Sequence, residues 1–328
     1  MPHSLREPLP RIDRHPELHE RLAACARLAP GEVWEDSVTG HRVGVVDATS
    51  PAQVDALTQG ERAYVAIQDP PYNFRVGSGV SEGLFAREIR DYLDFTRKWV
   101  DAILPVLAED AHFYLWMGAD QRRGFQPLAD VVLLLREKRE LESRSWITVR
   151  NQRGYGTGRN WMALRQEILY YRKGTPPFVV QHTAIPRILK GYYKTVGGRR
   201  TENSERSRSD TIRPGNVWMD VQQVFYRSRE NVPGAYAQKP LAAIHRLLAS
   251  TGADRRRNGA WNGENVIIDL FAHSGTTLVA AEQLGLRCFT ADVDPVFAEL
   301  TIRRLERYRA TGEPGWQCAH PFPEIVSS

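Results

Sequence analysis

The chain is poor in cysteine, in lysine and in long apolar runs. Its 328 residues hold three cysteines, Cys25, Cys288 and Cys318, spaced too widely for a disulfide framework or a zinc site. No stretch approaches the ~18 consecutive apolar residues that a membrane span needs, and residues 1–20 lack the pattern of a secretory signal. These absences exclude the disulfide-rich secreted, metal-scaffold and membrane-spanning classes and set the expectation of a soluble cytoplasmic protein. Lysine supplies 6 of the 44 basic residues and arginine 38. Arginine suits bidentate contacts to phosphates and base edges, although a GC-rich coding sequence produces the same bias. Internal repeats and low-complexity tracts are also missing.

What is present is the composition of an ordinary globular protein, 42% apolar and 25% charged, long enough for a full core. A formal charge of +5 and a pI of about 9.1 lean mildly toward a polyanionic partner. Residues 1–30, rich in Pro, Arg and His, read as an extension laid over the surface. Beyond it, short β-branched runs at 42–47 (RVGVVD) and 63–68 (AYVAIQ) read as strands. Apolar residues at helical spacing predict a helix within 84–109, followed by a strand at 112–117 and a helix around 126–139. Apolar segments follow at 146–149 and 167–171.

Between residues 175 and 213 eight Lys/Arg face three Asp/Glu, a local charge of +5, and 197–210 reads as an exposed loop. The globular pattern resumes with a helix at 241–248, a strand at 266–270, a helix at 275–284, a strand at 287–291 and a helix at 295–309. Strands alternating with helices predict an α/β fold with a mostly parallel, doubly wound sheet, whose ligands sit at the carboxyl ends of the strands.

Two such ends carry chemistry. Asp69-Pro70-Pro71-Tyr72 leaves the 63–68 strand; the proline pair removes two backbone donors and stiffens the exit. An acid, a free carbonyl and an aromatic ring are thereby offered together, though Asp-Pro also marks ordinary turns. The second end, from Asp269 through Phe271, Ala272, His273, Ser274, Gly275 and Thr276 to Thr277, is a tight turn of small residues opening a helix. About twenty residues on, the next strand ends at Asp292, where a carboxylate can accept from ribose hydroxyls. The pair points to a nucleoside-containing cofactor. NAD or FAD is disfavoured because Gly-x-Gly-x-x-Gly is absent.

These motifs, in this order, resemble the S-adenosylmethionine-dependent amino-methyltransferases of DNA in their circularly permuted β-class arrangement, over roughly residues 41–310. DPPYN (69–73) resembles the catalytic motif, 146–174 with Arg165-Gln166-Glu167 the central segment, Gln238-Lys239-Pro240 the opening of the helix before the cofactor strand, and DLFAHSGTT (269–277) the cofactor motif. The resemblance implies a Rossmann-like class I methyltransferase fold. It divides the chain into an extension (1–40), a catalytic half (41–174), a target-recognition insert (175–237), a cofactor half (238–312) and a tail (313–328).

Carried over by position, it assigns Asp69, Pro70, Pro71 and Tyr72 to the target base, with Asp69 also at the cofactor's edge. Phe271, Ala272, Ser274, Gly275, Thr276 and Thr277 line the methionine end, Asp292 holds the ribose, Asp47 lies on the adenine side and Lys239 near the adjoining loop, with Asp269 and His273 completing the cofactor-binding set. Arg187, Lys190, Lys194, Arg199, Arg200, Arg206, Arg208 and Arg213 become DNA contacts, with Tyr192, Tyr193, Trp218 and Tyr226 available to stack or wedge. The segment 77–79 reads as a lid, and Arg255, Arg256 and Arg257 as further phosphate contacts.

The implied activity is methylation of an exocyclic amine in a flipped base of double-stranded DNA, with no metal; dimers are common in the resembled class, and a homodimer and a cognate restriction endonuclease are the partners it leaves open. An Asp opening the DPPY motif favours adenine N6; cytosine N4 remains the alternative. RNA as substrate, and a DNA-binding relative with a blocked cofactor pocket, are further readings. Three positions depart from the family: His273 stands for the first glycine of the cofactor loop, Leu270 for a proline, and GAYA (234–237) for a preceding His-Pro.

Overall fold

The computed structural model describes residues 9–71, 89–118, 126–155, 161, 163–181, 193–202, 211, 213–253 and 265–326. In chain order its strands are β1 (Val33–Glu35), β2 (Arg42–Val45), β3 (Ala63–Gln68), β4 (Leu107–Gly118), β5 (Glu142–Tyr155) and β6 (Ala163–Lys173). There follow β7 (Tyr193–Val196), β8 (Arg199–Glu202), β9 (Val217–Trp218), β10 (Val266–Asp269) and β11 (Arg287–Asp292). The helices are α1 (Pro16–Ala23), α2 (Pro51–Thr58), α3 (Ile89–Ile103), α4 (Leu128–Arg136), α5 (Leu241–Ser250), α6 (Thr276–Leu284), α7 (Pro295–Thr311) and α8 (Pro323–Val326).

Among the described residues nine strands form one sheet in the order β1-β2-β11-β10-β3-β4-β6-β5-β9. The run from β2 to β4 is parallel, β6 lies antiparallel between β4 and β5, and β1 is antiparallel to β2. Side chains of β4 alternate across it: Phe113, Leu115 and Met117 pack with α2, α3 and α4, whereas Tyr114 and Trp116 pack with α5, α6 and α7. Burial on both faces explains why these strands read as near-continuous apolar runs. Each fully buried Leu, Ile or Phe contributes roughly 1.5–3 kcal/mol.

The expected α/β architecture is present, with two local corrections. The helical spacing within 84–109 stops at Ile103; Pro105 sits in a 3-10 turn (Leu104–Val106) and β4 begins at Leu107. Proline lacks the N–H that a continuing helix needs. The basic stretch 197–210 is not simply loop, since β7 and β8 pair as a hairpin around Gly197 and Gly198, whose φ values are +57° and +77°. Two glycines at positive φ suit the tight turns that follow strand twist.

Residues from the expected extension and tail are less peripheral than their composition suggests. Ile12 and Leu22 join Val232, Val296, Phe297, Leu300, Trp316 and Phe322 in a third buried cluster against α7. At its edge Arg304, fully buried, reaches four backbone or hydroxyl oxygens: Ser274 O (2.7 Å), Thr276 Oγ1 (3.0 Å), Pro314 O (2.7 Å) and Glu230 O (3.2 Å). One guanidinium therefore ties the turn after β10 to segments 230 and 314. Replacing it by methionine keeps the stem but strands those acceptors. Arg304→Met is expected to cost about 3 kcal/mol or more, read by urea denaturation; a loss below 1 kcal/mol contradicts this role.

Candidate active site

β3 and β10 lie side by side, and their paired register ends at Ala66↔Ile268. Beyond that point the strand ends part, and a crevice opens walled by Asp69, Trp116, Lys239, Asp269, Phe271 and the turn 272–277. A parallel sheet places ligand sites at such openings. Both sequence motifs meet here: Asp69 and buried Pro70 leave β3, and the 269–277 turn leaves β10.

The turn is held from within. Asp269 accepts from the Phe271 N–H (2.9 Å) and from the Thr277 hydroxyl. Burial pushes its carboxyl up to about 7, with Asp69 adding to the rise. Phe271 packs edge-on against Trp99 (5.4 Å) and Phe95 (6.1 Å) of α3. The Gly275 N–H donates to Ala272 O at 2.7 Å, and a Cβ at Gly275 would lie 3.0 Å from the Thr301 Cα. Its φ of +71° and that approach to α7 both require glycine.

His273 occupies a left-handed conformation, φ +45°, which explains a glycine at this place in the resembled family. Its backbone N–H donates to Asp292 Oδ2 (2.9 Å), and its ring packs on Phe297 at 4.8 Å between centroids. Burial, aided by Lys239, pulls the imidazole down to about 4, so it is neutral near pH 7. The other Asp292 oxygen accepts from the Asp294 N–H at 3.0 Å. Burial and the Asp294 charge raise Asp292 to about 7.

Lys239 forms an ion pair with Asp69 and lies 5.3 Å from the centre of the Trp116 ring; its carbonyl accepts from Thr276 (3.2 Å). Trp116 was not singled out by the sequence. Its indole N–H donates to Gln166 at 2.6 Å, which gives the central segment a part in building the wall. Asp47 does not line the crevice: its carboxylate accepts from the N–H and hydroxyl of Thr49 (both 2.8 Å). It is nonetheless close in the chain to Val46, whose N–H donates to Asp292 O at 3.0 Å.

The expected DNA contacts fall in separate places. Lys194, Arg199 and Arg200 lie on the β7–β8 hairpin. Arg213 lines a cleft of about 610 Å³ with Arg144, Arg172, Arg246 and Trp218. Strand register puts that cleft toward the end of the sheet away from Asp69, since Arg172 pairs with His112 while Gln166 pairs with Gly118. Tyr226 is exposed, while Trp218 is buried beneath the Arg246 guanidinium (4.8 Å). Tyr72, Arg187, Lys190, Tyr192, Arg206, Arg208, the 77–79 segment and Arg255 to Arg257 lie outside the described residues.

The sheet order, the turn after β10 and the acid-Pro-Pro exit of the adjoining central strand β3 together define the class I methyltransferase architecture. A profile of the DNA methylase family (N6_N4_Mtase) matches residues 64–303, and the chain belongs to that family. It is accordingly an S-adenosylmethionine-dependent DNA amino-methyltransferase. It is 24% identical over 240 residues to the type II methyltransferase M.HpaI of Haemophilus parainfluenzae, covering 73% of this chain and 67% of that protein. M1.MboII of Moraxella bovis, also a type II methyltransferase, is 25% identical over 272 residues, covering 77% and 94%. Among solved structures, the cytosine-N4-specific PvuII DNA methyltransferase superposes with a TM-score of 0.54 at 12% identity, covering 84% of this chain and 89% of that one; the likeness is one of fold.

The residues present suit that cofactor. The crevice offers acceptors at Asp69, whose carboxylate pairs with Lys239, and at Asp269, and each Asp292 oxygen receives one backbone N–H and retains acceptor capacity. The His273 ring lines the crevice and packs on Phe297, while its bond to Asp292 comes from the backbone N–H, which a glycine keeps. His273→Gly relieves the left-handed strain and deletes a buried contact. The dissociation constant for S-adenosylmethionine is expected to stay within about threefold, measured by calorimetry; a loss beyond tenfold assigns the imidazole a direct role.

Proposed function

We propose that the protein methylates N6 of adenine in double-stranded DNA after the base has swung out of the helix. The observation that carries the reading is the meeting of Asp69 with the 269–277 turn in one crevice. The Asp at the head of DPPY supports adenine over cytosine, and the order of motifs, Asp69 before Asp269, supports the β-class arrangement. The basic stretch 175–213 supports a duplex as substrate and a role for that region in target recognition.

An exocyclic amine is a weak nucleophile because its lone pair is delocalised into the ring. The Asp69 carboxylate and the Pro70 carbonyl each accept one amino hydrogen, which favours a pyramidal nitrogen with its lone pair directed outward. Bound S-adenosylmethionine supplies an electrophilic methyl on sulfur. With it bound, the new C–N bond would form as C–S breaks, the sulfur would keep the electron pair, and the proton of the methylated nitrogen would leave past Asp69 to solvent water. Holding the nitrogen about 3–3.5 Å from the methyl, in line, supplies much of the acceleration. Acceptors fixed around the developing ammonium supply more. Tyr72 is assigned a stacking face for the extruded base.

Transfer of labelled methyl to unmethylated genomic DNA, followed by mass analysis of nucleosides, is expected to give N6-methyladenine with wild type. Asp69→Ala should lose at least about a hundredfold. N4-methylcytosine overturns the base; full activity of the variant overturns the role of Asp69.

Asp292 gives a pH test. Burial pushes its carboxyl up to about 7, and ribose hydroxyls would donate to the ionised form. Binding must therefore remove the proton below that pH, so cofactor affinity rises with pH up to about 7 and then levels. The limiting slope is about tenfold per pH unit. Calorimetry at several pH values should show at least this slope in wild type and a shallower one in Asp292→Asn, the remainder belonging to Asp269, which burial also pushes up to about 7. A pH-independent wild type rejects the assignment.

A further inference from the structure

Gln68 is fully buried at the last position of β3, one residue before Asp69. Where the β3–β10 register has already ended, its side chain takes over as a rung. Nε2 donates to Ile268 O at 2.9 Å, and Oε1 accepts from the Leu270 N–H at 3.1 Å. The two backbone groups it joins lie on either side of Asp269. A planar amide with one donor and one acceptor thus spans the parting strands at the level where the crevice begins.

This geometry matters because the reaction distance has two ends. On the reading above, the target amine is held by the exit of β3 and the methyl donor by the turn after β10. Transfer tolerates little error between them; a misplacement of about 1 Å can cost a hundredfold. Lys239 also crosses the crevice, but through a long stem with a rotatable ammonium, whereas the Gln68 amide is fixed at both atoms.

We infer that Gln68 is a positioning residue that sets the spacing between Asp69 and the cofactor turn for methyl transfer. It touches neither substrate; it acts through the two strand ends. The inference rests on the function proposed above.

The test uses Gln68→Met, which keeps the length and loses both bonds, and Gln68→Glu, which restores both only when protonated. Assays run well below each variant's own Tm, fixed first by thermal melts. For Gln68→Met, kcat should fall at least about tenfold, while KM for DNA and the dissociation constant for S-adenosylmethionine stay within about threefold. For Gln68→Glu, kcat relative to wild type should recover as pH falls from 8.5 toward 6. Asp69, Asp269 and Lys239 face the same crevice, and dividing by the wild-type profile removes their shared titration. An unchanged kcat in folded Gln68→Met, or a loss confined to Tm or cofactor affinity, overturns the inference. Absence of methyl transfer by wild type overturns the proposed function instead.

Discussion

Parallel pairing between β3 and β10 cannot continue if a base and a cofactor are to meet between them, yet the ends cannot drift apart. The register stops at Ala66 and Ile268, and everything distinctive about the site lies in the next few residues. The proline pair stiffens one lip, and Gly275 brings the other against α7. Trp116, hung from Gln166, closes the side toward β6. Because the two lips come from segments 200 residues apart in sequence, as the Gln68–Ile268 bond records, the site exists only in the folded sheet.

Burial governs the electrostatics of the crevice. Asp269 and Asp292 are both pushed up to about 7, and His273 down to about 4, so removal from water is the dominant influence on each. Lys239 partly offsets the carboxylates. Behind the sheet edge a second polar group is arranged differently. The buried His41 ring accepts the Cys288 N–H at Nδ1 (3.0 Å), which leaves Nε2 to donate to Glu282 (2.9 Å). Glu282 in turn meets Arg309, which also forks onto Asp36. Every charge there has a partner, as expected of structural ion pairs; in the crevice, burial instead moves Asp269, Asp292 and His273 toward their neutral forms, the kind of perturbation that gathers at functional sites.

Much of this was legible in the sequence. The strands at 63–68 and 266–270, the acids at their ends and the helix from 295 are local signals: β-branched runs, a proline pair, an Asp capping α7 through the Val296 N–H. The β4 boundary was harder, because apolar spacing ran on past Ile103 and only Pro105 marked the change. The β7–β8 hairpin had its Gly-Gly signal, outweighed by the surrounding charge. Gln68, Arg304 and Trp116 gave no local sign at all. A glutamine at a strand end and an arginine in a helix acquire meaning from carbonyls far along the chain, so their roles are set by tertiary contact.

The third cluster has a consequence for the order of the motifs. Ile12 and Leu22 share it with Trp316 and Phe322, and the Arg21 guanidinium reaches Ile325 O at 3.2 Å. Segments near both ends of the described chain are therefore neighbours in space. A short linker could join them while the chain is opened elsewhere, and the sheet, the crevice and its rung would be unaffected. Which motif comes first is then a matter of where the ribbon is cut, and the architecture is indifferent to it.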